Sequence, residues 1–372
     1  MLLYYIDNLR IPTEKAHGVQ IMKMAEALAK TGVALTLILP KKFNLIKINP
    51  FSYYKVEEIF KIKKIFSLNL IYFEKIFGKF GYWLENVIYT KLALIWVLFN
   101  KKPDIIYTRQ VFIAFIFSLF FKNVYFEAHV FKNNAFYKLF LSRLKGIIVI
   151  TRKLEELHKK ILPNKKILVA YDGVDLNQFN LVITKEEARS KLNFPKDKKI
   201  ILYTGHLYDW KGAQVLAEAA KFLPDNYQIY FVGGTAKDIT NFRNTYQDKN
   251  INIVGHRPYQ EIPLWLKAAD VLVIPNSGRF EISRSYTSPM KLFEYLASQT
   301  PIIASDLPSL REILDESSCL FFQPDNSKDL AEKIKNLIAD KEKQHLISKN
   351  AFIKVQVYDW QNRARSIINF IK

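Results

Sequence analysis

The sequence has few of the features that mark secreted, membrane-spanning or disulfide-stabilised proteins. Its 372 residues include a single cysteine, Cys319, which excludes an internal disulfide framework and favours a reducing compartment. The apolar stretches VFIAFIFSLFF (111–121) and VIYTKLALIWVLF (87–99) are shorter than the roughly 18–20 residues of a spanning helix, and a lysine interrupts the second. The first residues have no signal-peptide pattern. We therefore expect a cytoplasmic protein without a membrane span.

Short motifs of nucleotide and metal chemistry are also missing. The sequence contains no GxxxxGK[ST] loop, no GxGxxG before the first helix, no HExxH, no pair of CxxC motifs and no Asp-x-Asp. P-loop NTPases and the common zinc-site classes are set aside on this ground. We expect no bound metal and no cofactor.

Negative charge is scarce relative to positive charge. Lys and Arg number 55 against 35 Asp and Glu, and most of this excess lies before residue 180. Within 41–102, lysines are mixed with Phe, Tyr and Trp, which suits an anionic membrane surface. A solvated basic face and a nucleic-acid surface are the alternatives. We expect a peripheral location at the inner face of the cell membrane and no nucleic acid as partner.

Two series of alternating strands and helices run along the chain, on either side of a charged stretch at 180–199. A length of 372 residues exceeds the roughly 250–300 at which single cores stop growing. We expect two α/β domains facing a central cleft, 1–180 (completed by a C-terminal helix, 356–372) and 181–355. The predicted strands cover 2–6, 33–40, 104–108, 123–129, 146–151, 166–175, 200–205, 227–234, 250–255, 270–275 and 301–305.

Four candidate ligand-binding residues belong to the first series. Gly18 lies at the predicted turn before the first helix, where a missing side chain lets the backbone approach a ligand. Arg109, Glu127 and His129 lie at the carboxyl ends of two predicted strands, where α/β folds collect their binding groups. A purely structural role is the alternative for each of them.

The stretch SPMKLFEYLAS (288–298) predicts the start of a helix that binds an anion. Ser288 is expected as the N-cap and Pro289 as the first helical residue, and the free N–H groups there suit a phosphate. Lys291 in the first turn is unfavourable for the helix alone but favourable beside an anion. Glu294 lies roughly 7–8 Å beyond Pro289, about the span from a diphosphate to its ribose. A surface pair of Lys291 with Glu294 is the alternative.

The stretch YTGHLYDWKG (203–212) contributes a second phosphate candidate. A predicted strand leads into a glycine turn, and Lys211 stands beside Gly212 at the start of a helix, where an ammonium group suits a phosphate. His206 directly follows Gly205 and could donate a further hydrogen bond. A solvated loop position is the alternative for both side chains.

Together these segments resemble the family-4 retaining glycosyltransferases, whose GT-B fold has two Rossmann-like domains. The resemblance covers nearly the whole chain and is strongest in YTGHLYDWKG, INIVGHRPYQEIPLWLKAADVLVIPN and SPMKLFEYLASQTPIIASDLPSLREIL. VAYDGVDLNQF resembles the segment that closes the first domain, and YDWQNRARSIINFI resembles the final helix that crosses back onto it. The resemblance implies a nucleotide-diphosphate sugar, UDP- or GDP-linked, as co-substrate.

The resemblance also implies a role for each matching residue. Glu294 would hold the donor ribose, Lys211 would bind the donor diphosphate and His129 would lie near the transferred sugar, and these three are the predicted catalytic residues. The other predicted donor-binding residues are Gly18, His206, His256, Arg257, Ser288, Pro289 and Met290.

Two positions depart from the family pattern. Tyr286 stands where the family's first motif glutamate usually contacts the sugar, and His206 stands where arginine is usual. Glu281 of the preceding loop could replace the missing carboxylate, and Arg284 could supply the missing charge. The predicted sugar or acceptor contacts are Arg109, Glu127, Glu281, Arg284 and Tyr286.

The activity implied is transfer of a sugar, with retention of configuration and without a metal, to an acceptor held by the basic first domain. The acceptor expected is lipid-linked or a growing saccharide of the cell envelope. Two alternatives stay open. One, suggested by Tyr286, is a catalytically silent sugar-nucleotide-binding subunit of a transferase complex. The other is a GT-B nucleotide-sugar epimerase.

Overall fold

The computed structural model describes residues 1–69 and 74–372, which form two compact units. The first unit comprises Met1–Tyr171 and Trp360–Lys372, and the second comprises Asp172–Asp359. The first boundary, at 171/172, lies before the predicted one at 180/181. The second, at 359/360, lies after the predicted one at 355/356. The stretch 180–199 belongs to the second unit, because Lys185 and Arg189 pair with the buried Asp270 at 3.0 and 2.5 Å.

The first unit is built on a seven-stranded parallel sheet with the strand order β3-β2-β1-β4-β5-β6-β7. Most of its strands are continuous apolar runs that are buried on both faces, as is typical of parallel sheets. The lysine-rich edge strand β3 is the exception, and the sequence patterns missed it. The strands are β1 Leu2–Ile6, β2 Ala34–Lys41, β3 Lys61–Phe66, β4 Ile105–Thr108, β5 Val124–Ala128, β6 Gly146–Val149 and β7 Ile167–Val169.

Helices cover this sheet, and the chain's last helix returns to it as predicted. This C-terminal helix (Trp360–Ile371) packs against the first helix of the chain. The other helices of the unit are α1 Ala16–Ala29, α2 Pro50–Tyr54, α3 Glu74–Leu98, α4 Val111–Ser118, α5 Ala135–Arg143 and α6 Arg152–Ile161. None of the helices in the described ranges is long and apolar enough to cross a membrane.

The second unit is built on a six-stranded parallel sheet with the order β10-β9-β8-β11-β12-β13. Its strands are β8 Lys199–Thr204, β9 Tyr227–Val232, β10 Ile251–Gly255, β11 Val271–Ile274, β12 Ile302–Ser305 and β13 Leu320–Phe322. Its helices are α7 Leu176–Phe179, α8 Lys185–Lys191, α9 Ala213–Ala219, α10 Ala236–Thr245, α11 Ile262–Ala268, α12 Met290–Ala297, α13 Pro308–Arg311, α14 Ser327–Ala339 and α15 Lys341–Val355.

Each sheet has one point at which the order of its strands reverses. This point lies between β1 and β4 in the first unit and between β8 and β11 in the second. In open α/β sheets, ligands bind beyond the carboxyl ends of the strands at such a switch point. We therefore expect ligand-binding residues in the loops that follow β1 and β4 and in those that follow β8 and β11. The two α/β units with parallel sheets confirm the predicted fold class.

Candidate functional site

Two glycines shape the loop after β8. Gly205 and Gly212 have φ angles of 127° and 70°, in the left-handed region that favours glycine. A Cβ atom on Gly212 would lie 1.8 Å from the carbonyl oxygen of Pro275, which follows β11. The loops beyond β8 and β11 therefore meet in direct backbone contact, and only glycine fits there.

Lys211 lies at the end of a short 3₁₀ turn, directly before Gly212. Its Nζ atom is 5.7 Å from the centre of the Tyr208 ring and 5.3 Å from that of Trp210. A Cβ atom built on Gly205 would lie 3.8 Å from Nζ, so the ammonium group reaches back to the carboxyl end of β8. Burial lowers the pKa of Lys211 to about 8, against the opposing influence of Glu294.

The start of α12 differs from the prediction. The helix begins at Met290, and Pro289 takes the N-cap position without a capping side chain. The prediction of Ser288 as N-cap is wrong, because its hydroxyl accepts the backbone N–H of Asp172 at 3.2 Å instead. Proline fixes its own φ angle but has no polar side chain to bond the first N–H groups. No side chain therefore caps the start of α12, in agreement with a place for an anion.

Lys291 and Glu294 are buried, so the interpretation of a surface pair is wrong. They are 8% and 6% exposed, and the Nζ atom of Lys291 lies 3.9 Å from the centre of the Tyr203 ring. Among the described residues, this Nζ atom has no hydrogen-bond partner. Burial, and after it the charge of Lys211, holds the pKa of Lys291 well below its usual value.

Glu294 faces the same two lysines from the second turn of α12. Burial raises the pKa of its carboxyl group to about 7, although the Tyr259 hydroxyl, Lys291 and Lys211 all act to lower it. The buried Tyr259 hydroxyl lies near this carboxyl group. A carboxyl group and two ammonium groups thus share one poorly hydrated site and shift one another's protonation.

Tyr295 anchors this arrangement to the sheet. Its hydroxyl oxygen accepts the backbone N–H of Thr204 at 2.8 Å, and the Thr204 hydroxyl lies 3.1 Å away. Because Thr204 is the last residue of β8, the bond fixes α12 against the strand whose loop carries Lys211. Sequence patterns missed Tyr295, which looks like one more buried aromatic residue of an amphipathic helix.

The remaining predicted donor-binding side chains have contacts of their own. The His206 ring stacks on Tyr208 at 5.0 Å between centres, and its Nδ1 atom is 3.8 Å from Asp238. His256 and Arg257 follow β10 and are exposed, with Arg257 lying over the Trp265 ring at 5.9 Å. Their roles in donor binding stay predictions.

The segment that precedes α12 forms a π-helical turn, Ile282–Tyr286. The Tyr286 hydroxyl donates a short hydrogen bond to Glu281, and burial together with this carboxylate raises the tyrosine pKa to about 12. Arg284 donates to the carbonyl oxygen of Gly278 at 2.7 Å. Ser283 donates to the carbonyl oxygen of Trp210 at 2.5 Å, which ties the turn to the loop of Lys211. Glu281 thus brings a carboxylate to the position of Tyr286.

In the first unit, the structure brings together Arg109, Glu127 and His129. Glu127 is fully buried, and its Oε1 atom lies 2.7 Å from His129 Nε2 and 3.7 Å from Arg109 Nε. Arg109 also approaches His129 Nδ1 at 3.3 Å. All three residues lie at the carboxyl ends of β4 and β5, where the sequence placed them, while their contact with a sugar or an acceptor stays a prediction.

Three further residues complete this cluster, and sequence patterns missed all of them. Gln20 donates to Glu127 at 3.0 Å and accepts from Arg109 at 2.5 Å. Tyr107 donates to the second carboxylate oxygen, and Arg363 of the C-terminal helix lies 3.0 Å from that oxygen. The sequence signal that could have identified Arg363 is an arginine at an apolar-face position of an amphipathic helix.

Gly18 lies inside α1 rather than in the turn before it, which corrects the prediction. Its conformation is helical, and a Cβ atom there would meet the Tyr54 hydroxyl at 2.3 Å and the Thr13 side chain at 2.6 Å. Tyr54 in turn bonds to the backbone of Thr13 through both its hydroxyl proton and its oxygen. Close packing with Tyr54 therefore explains this glycine without a ligand.

No group of three or more metal-ligating side chains that could hold an ion occurs among the described residues. The predicted membrane surface 41–102 includes residues 70–73, which lie outside the described ranges. Its described part exposes large apolar side chains, among them Phe43, Leu45, Trp83 and Phe99.

Part of the sequence is similar to that of known glycosyltransferases. Residues 184–354 match the model of the glycosyl transferases of group 1. TuaC of Bacillus subtilis, a glycosyltransferase assigned to teichuronic acid biosynthesis, is 30% identical over 190 residues, which cover 50% of this chain and 45% of TuaC. The matches span about half of the length of such relatives, from 45% to 60%.

Solved structures resemble the whole chain. Sucrose-phosphate synthase from Thermosynechococcus elongatus superposes with a TM-score of 0.78 at 18% identity, over 99% of this chain and 97% of that one. Anabaena HepE in complex with UDP-glucose superposes with a TM-score of 0.74 at 14% identity, over 99% and 98%. At these identities the likeness bears on the fold alone. Residues 184–354, which lie within the second unit, thus match the glycosyl transferases of group 1, and the chain has the GT-B fold.

Proposed function

We propose that this protein transfers a sugar from a nucleoside diphosphate sugar, with retention of configuration, to a lipid-linked or saccharide acceptor of the cell envelope. The cluster of the half-buried Lys211 with the buried Lys291 and Glu294, beside the uncapped start of α12, carries this proposal. Two ammonium groups and free backbone N–H groups match a diphosphate, and a carboxylate farther along the helix matches the two hydroxyls of a ribose. The solved complexes of Anabaena HepE with UDP and with UDP-glucose support the same class of donor.

The proposed chemistry uses charge rather than a protein nucleophile. Negative charge grows on the diphosphate as it leaves, so Lys211, Lys291 and the N-terminus of α12 stabilise the transition state more than the bound donor. A donor phosphate oxygen takes the acceptor proton on the same face of the sugar. No metal enters this scheme.

The first unit is the proposed acceptor-binding unit. Its described residues between 41 and 102 combine exposed lysines with exposed apolar side chains, of which Leu45 is 77% and Phe99 87% exposed. Such a surface attracts anionic headgroups and buries its aromatic tips at the lipid interface. The relative TuaC is named for teichuronic acid biosynthesis, and the structural neighbour WaaG is a glycosyltransferase involved in lipopolysaccharide biosynthesis.

Donor binding is tested by thermal unfolding with UDP, GDP and their sugars. A ligand at 100 times its Kd stabilises the protein by about 2.7 kcal/mol, so UDP or GDP is expected to raise the Tm by several degrees. Glu294→Ala should abolish this rise, while Glu332→Ala, an exposed glutamate of α14, should keep it. No rise with any of these nucleotides, or a rise that Glu294→Ala leaves intact, contradicts the donor site.

Retention is tested on the sugar that binds best. Slow hydrolysis of this donor releases a free sugar, and NMR taken before mutarotation reports its anomeric configuration. The donor's own configuration is expected, and the opposite one contradicts retention. Release of an isomeric sugar would favour the epimerase. Strong donor binding without any turnover would favour a silent subunit, the alternative suggested by Tyr286 at the motif position.

The membrane surface is tested by sedimentation with vesicles of phosphatidylcholine, with and without phosphatidylglycerol. Binding is expected only with the anionic lipid and should weaken as salt rises. Phe99→Ser should reduce it, while Leu346→Ser, an apolar residue of the second unit that is 58% exposed, should not. Equal binding to neutral vesicles, or none to either kind, contradicts this acceptor surface.

A further inference from the structure

The carboxylate of Glu127 lies at the centre of a buried network whose members come from four separate parts of the first unit. Gln20 belongs to α1, Tyr107 to β4, and His129 follows β5. Arg363 belongs to the C-terminal helix and is 5% exposed. Although burial acts to raise it, the charge of Arg363 first, and then the hydrogen bond from His129 and the charge of Arg109, hold the pKa of Glu127 well below its usual value. The carboxylate is therefore ionised and accepts every one of these bonds.

The bonds of His129 define the protonation of its ring. Arg109 Nη2 lies 3.3 Å from His129 Nδ1, and a guanidinium group can only donate, so Nδ1 must accept. Nε2 lies 2.7 Å from the ionised Glu127, so Nε2 carries the proton and donates it. These two contacts fit a neutral imidazole with its proton on Nε2.

Two guanidinium groups oppose a second proton on this ring. Protonation of Nδ1 would end the bond from Arg109 and add a cation at a carboxylate that Arg109 and Arg363 already contact. The other titratable groups near the network are Tyr5 of the first strand and Asp7 of the loop after it. Glu127 alone contributes a full negative charge within a hydrogen bond of the ring.

Arg363 is fixed by more than its ion pair. Its Nε atom donates to the carbonyl oxygen of Tyr171 at 2.8 Å, Nη2 approaches that of Ala170 at 3.3 Å, and Nη1 lies 2.9 Å from the sulfur of Met24. The guanidinium group therefore has one position, between the loop that closes the first unit and α1. A lysine there could keep the charge but only part of these bonds.

We propose that Arg363 is a positioning residue, which acts through Glu127 to hold the His129 ring neutral, protonated on Nε2 and fixed in orientation. The last helix of the chain thereby completes a cluster whose other members all precede residue 130. That His129 faces the transferred sugar rests on the proposed function, whereas the state of its ring does not. A neutral, doubly bonded ring offers no free nitrogen for proton transfer, so its role is to shape the site.

The test is NMR of the full-length protein with ¹⁵N-labelled histidine. The sequence has six histidines, and His129→Gln identifies the signal of interest. The wild-type ring is expected to show the Nε2–H tautomer at pH 7. In Arg363→Met the pH at which the ring takes its second proton should rise by about one unit, since a nearby like charge is removed. Arg363→Lys should restore most of the wild-type titration, and Arg365→Met, an exposed arginine of the same helix, should leave it unchanged.

Each outcome bears on the proposal separately from transferase activity. An imidazolium or an Nδ1–H tautomer in the wild type at pH 7 overturns it and needs no variant that risks unfolding. An unshifted titration in a folded Arg363→Met protein leaves Arg363 as a purely structural residue and also overturns it. If a transfer assay exists, Arg363→Met should lower kcat with little change in the KM for the donor, and Arg363→Lys should recover it. Failure of all transfer activity in the wild type would sink the proposed function and leave the ring test standing.

Discussion

The ammonium nitrogen of Lys291 lies 3.9 Å from the centre of the Tyr203 ring, buried in the first turn of α12 and without a hydrogen-bond partner among the described residues. A buried unpaired charge destabilises a protein, while a cation is useful beside a bound diphosphate. Lys291→Met should therefore raise the free energy of unfolding by about 1 kcal/mol and weaken UDP binding by about tenfold. Denaturant unfolding and titration calorimetry measure the two effects.

Lys349→Met is the matched control for this variant. Lys349 is an exposed lysine of α15 in the same unit, so its replacement should change neither quantity by much. Loss of stability in Lys291→Met together with unchanged UDP affinity would assign Lys291 to the core of the unit instead.

The carboxyl group of Glu294 should make stability depend on pH. Its pKa is raised from the ordinary value of 4.5 to about 7 by burial, so the folded protein keeps a proton that the unfolded chain has lost. Stability is then fully present below about pH 4.5, falls by on the order of 1 kcal/mol per pH unit up to about 7, and is level above. Glu294→Gln should remove this decline. Parallel pH curves of unfolding free energy for the two proteins would contradict the raised pKa.

Nucleotide affinity should pass through a maximum between about pH 7 and 8. Below this range the Glu294 carboxyl group is protonated and accepts fewer hydrogen bonds, and above it Lys211, whose burial lowers its pKa to about 8, loses its charge. Calorimetric titration with UDP at constant ionic strength measures the profile. Glu294→Gln should remove the acidic limb and Lys211→Met the basic one. An affinity that is constant from pH 6 to 9 would rule out both assignments.

Gly212→Ala should be far more damaging than an ordinary substitution of glycine. The new Cβ atom would lie 1.8 Å from the Pro275 carbonyl oxygen, at a φ angle of 70°. Gly255→Ala is the matched control, because φ there is 82° but the nearest atom would be a side-chain carbon at 3.4 Å. The control is expected to cost about 1–2 kcal/mol and Gly212→Ala clearly more. Equal unfolding midpoints of the two variants would contradict the contact between the loops.

Glu281 should govern the donor's sugar rather than its nucleotide. Its carboxylate accepts the Tyr286 hydroxyl at the position where the family has its first motif glutamate. Glu281→Gln should therefore leave the Kd for UDP unchanged and reduce the extra affinity for the preferred UDP-sugar by about fivefold to tenfold, the effect of one charged hydrogen bond. Equal losses for UDP and for the UDP-sugar would assign Glu281 to the loop's structure.

Much of the fold follows from patterns within a few residues of one another. Apolar runs such as IILYT and VLVI predict buried parallel strands, and β8 and β11 form there. The edge strand β3 was missed because its sequence, KIKKIF, exposes three lysines at the sheet's rim, where charge protects an open edge. The capping of α12 was mistaken because the Ser288 hydroxyl bonds to Asp172, far away in the chain.

The sequence by itself determined the alternation of strands and helices, the glycine turn beside Lys211 and the start of a helix directly after Pro289. Each of these features depends on residues that are close together in the sequence, so the sequence is enough to predict it. The tertiary structure alone decided which charges are buried. Lys291 and Glu294 are buried beside Tyr203 and Tyr259, and Glu127 forms an ion pair with Arg363 of the C-terminal helix. Burial and charge pairing depend on distances in space, and local spacing along a sequence does not contain them.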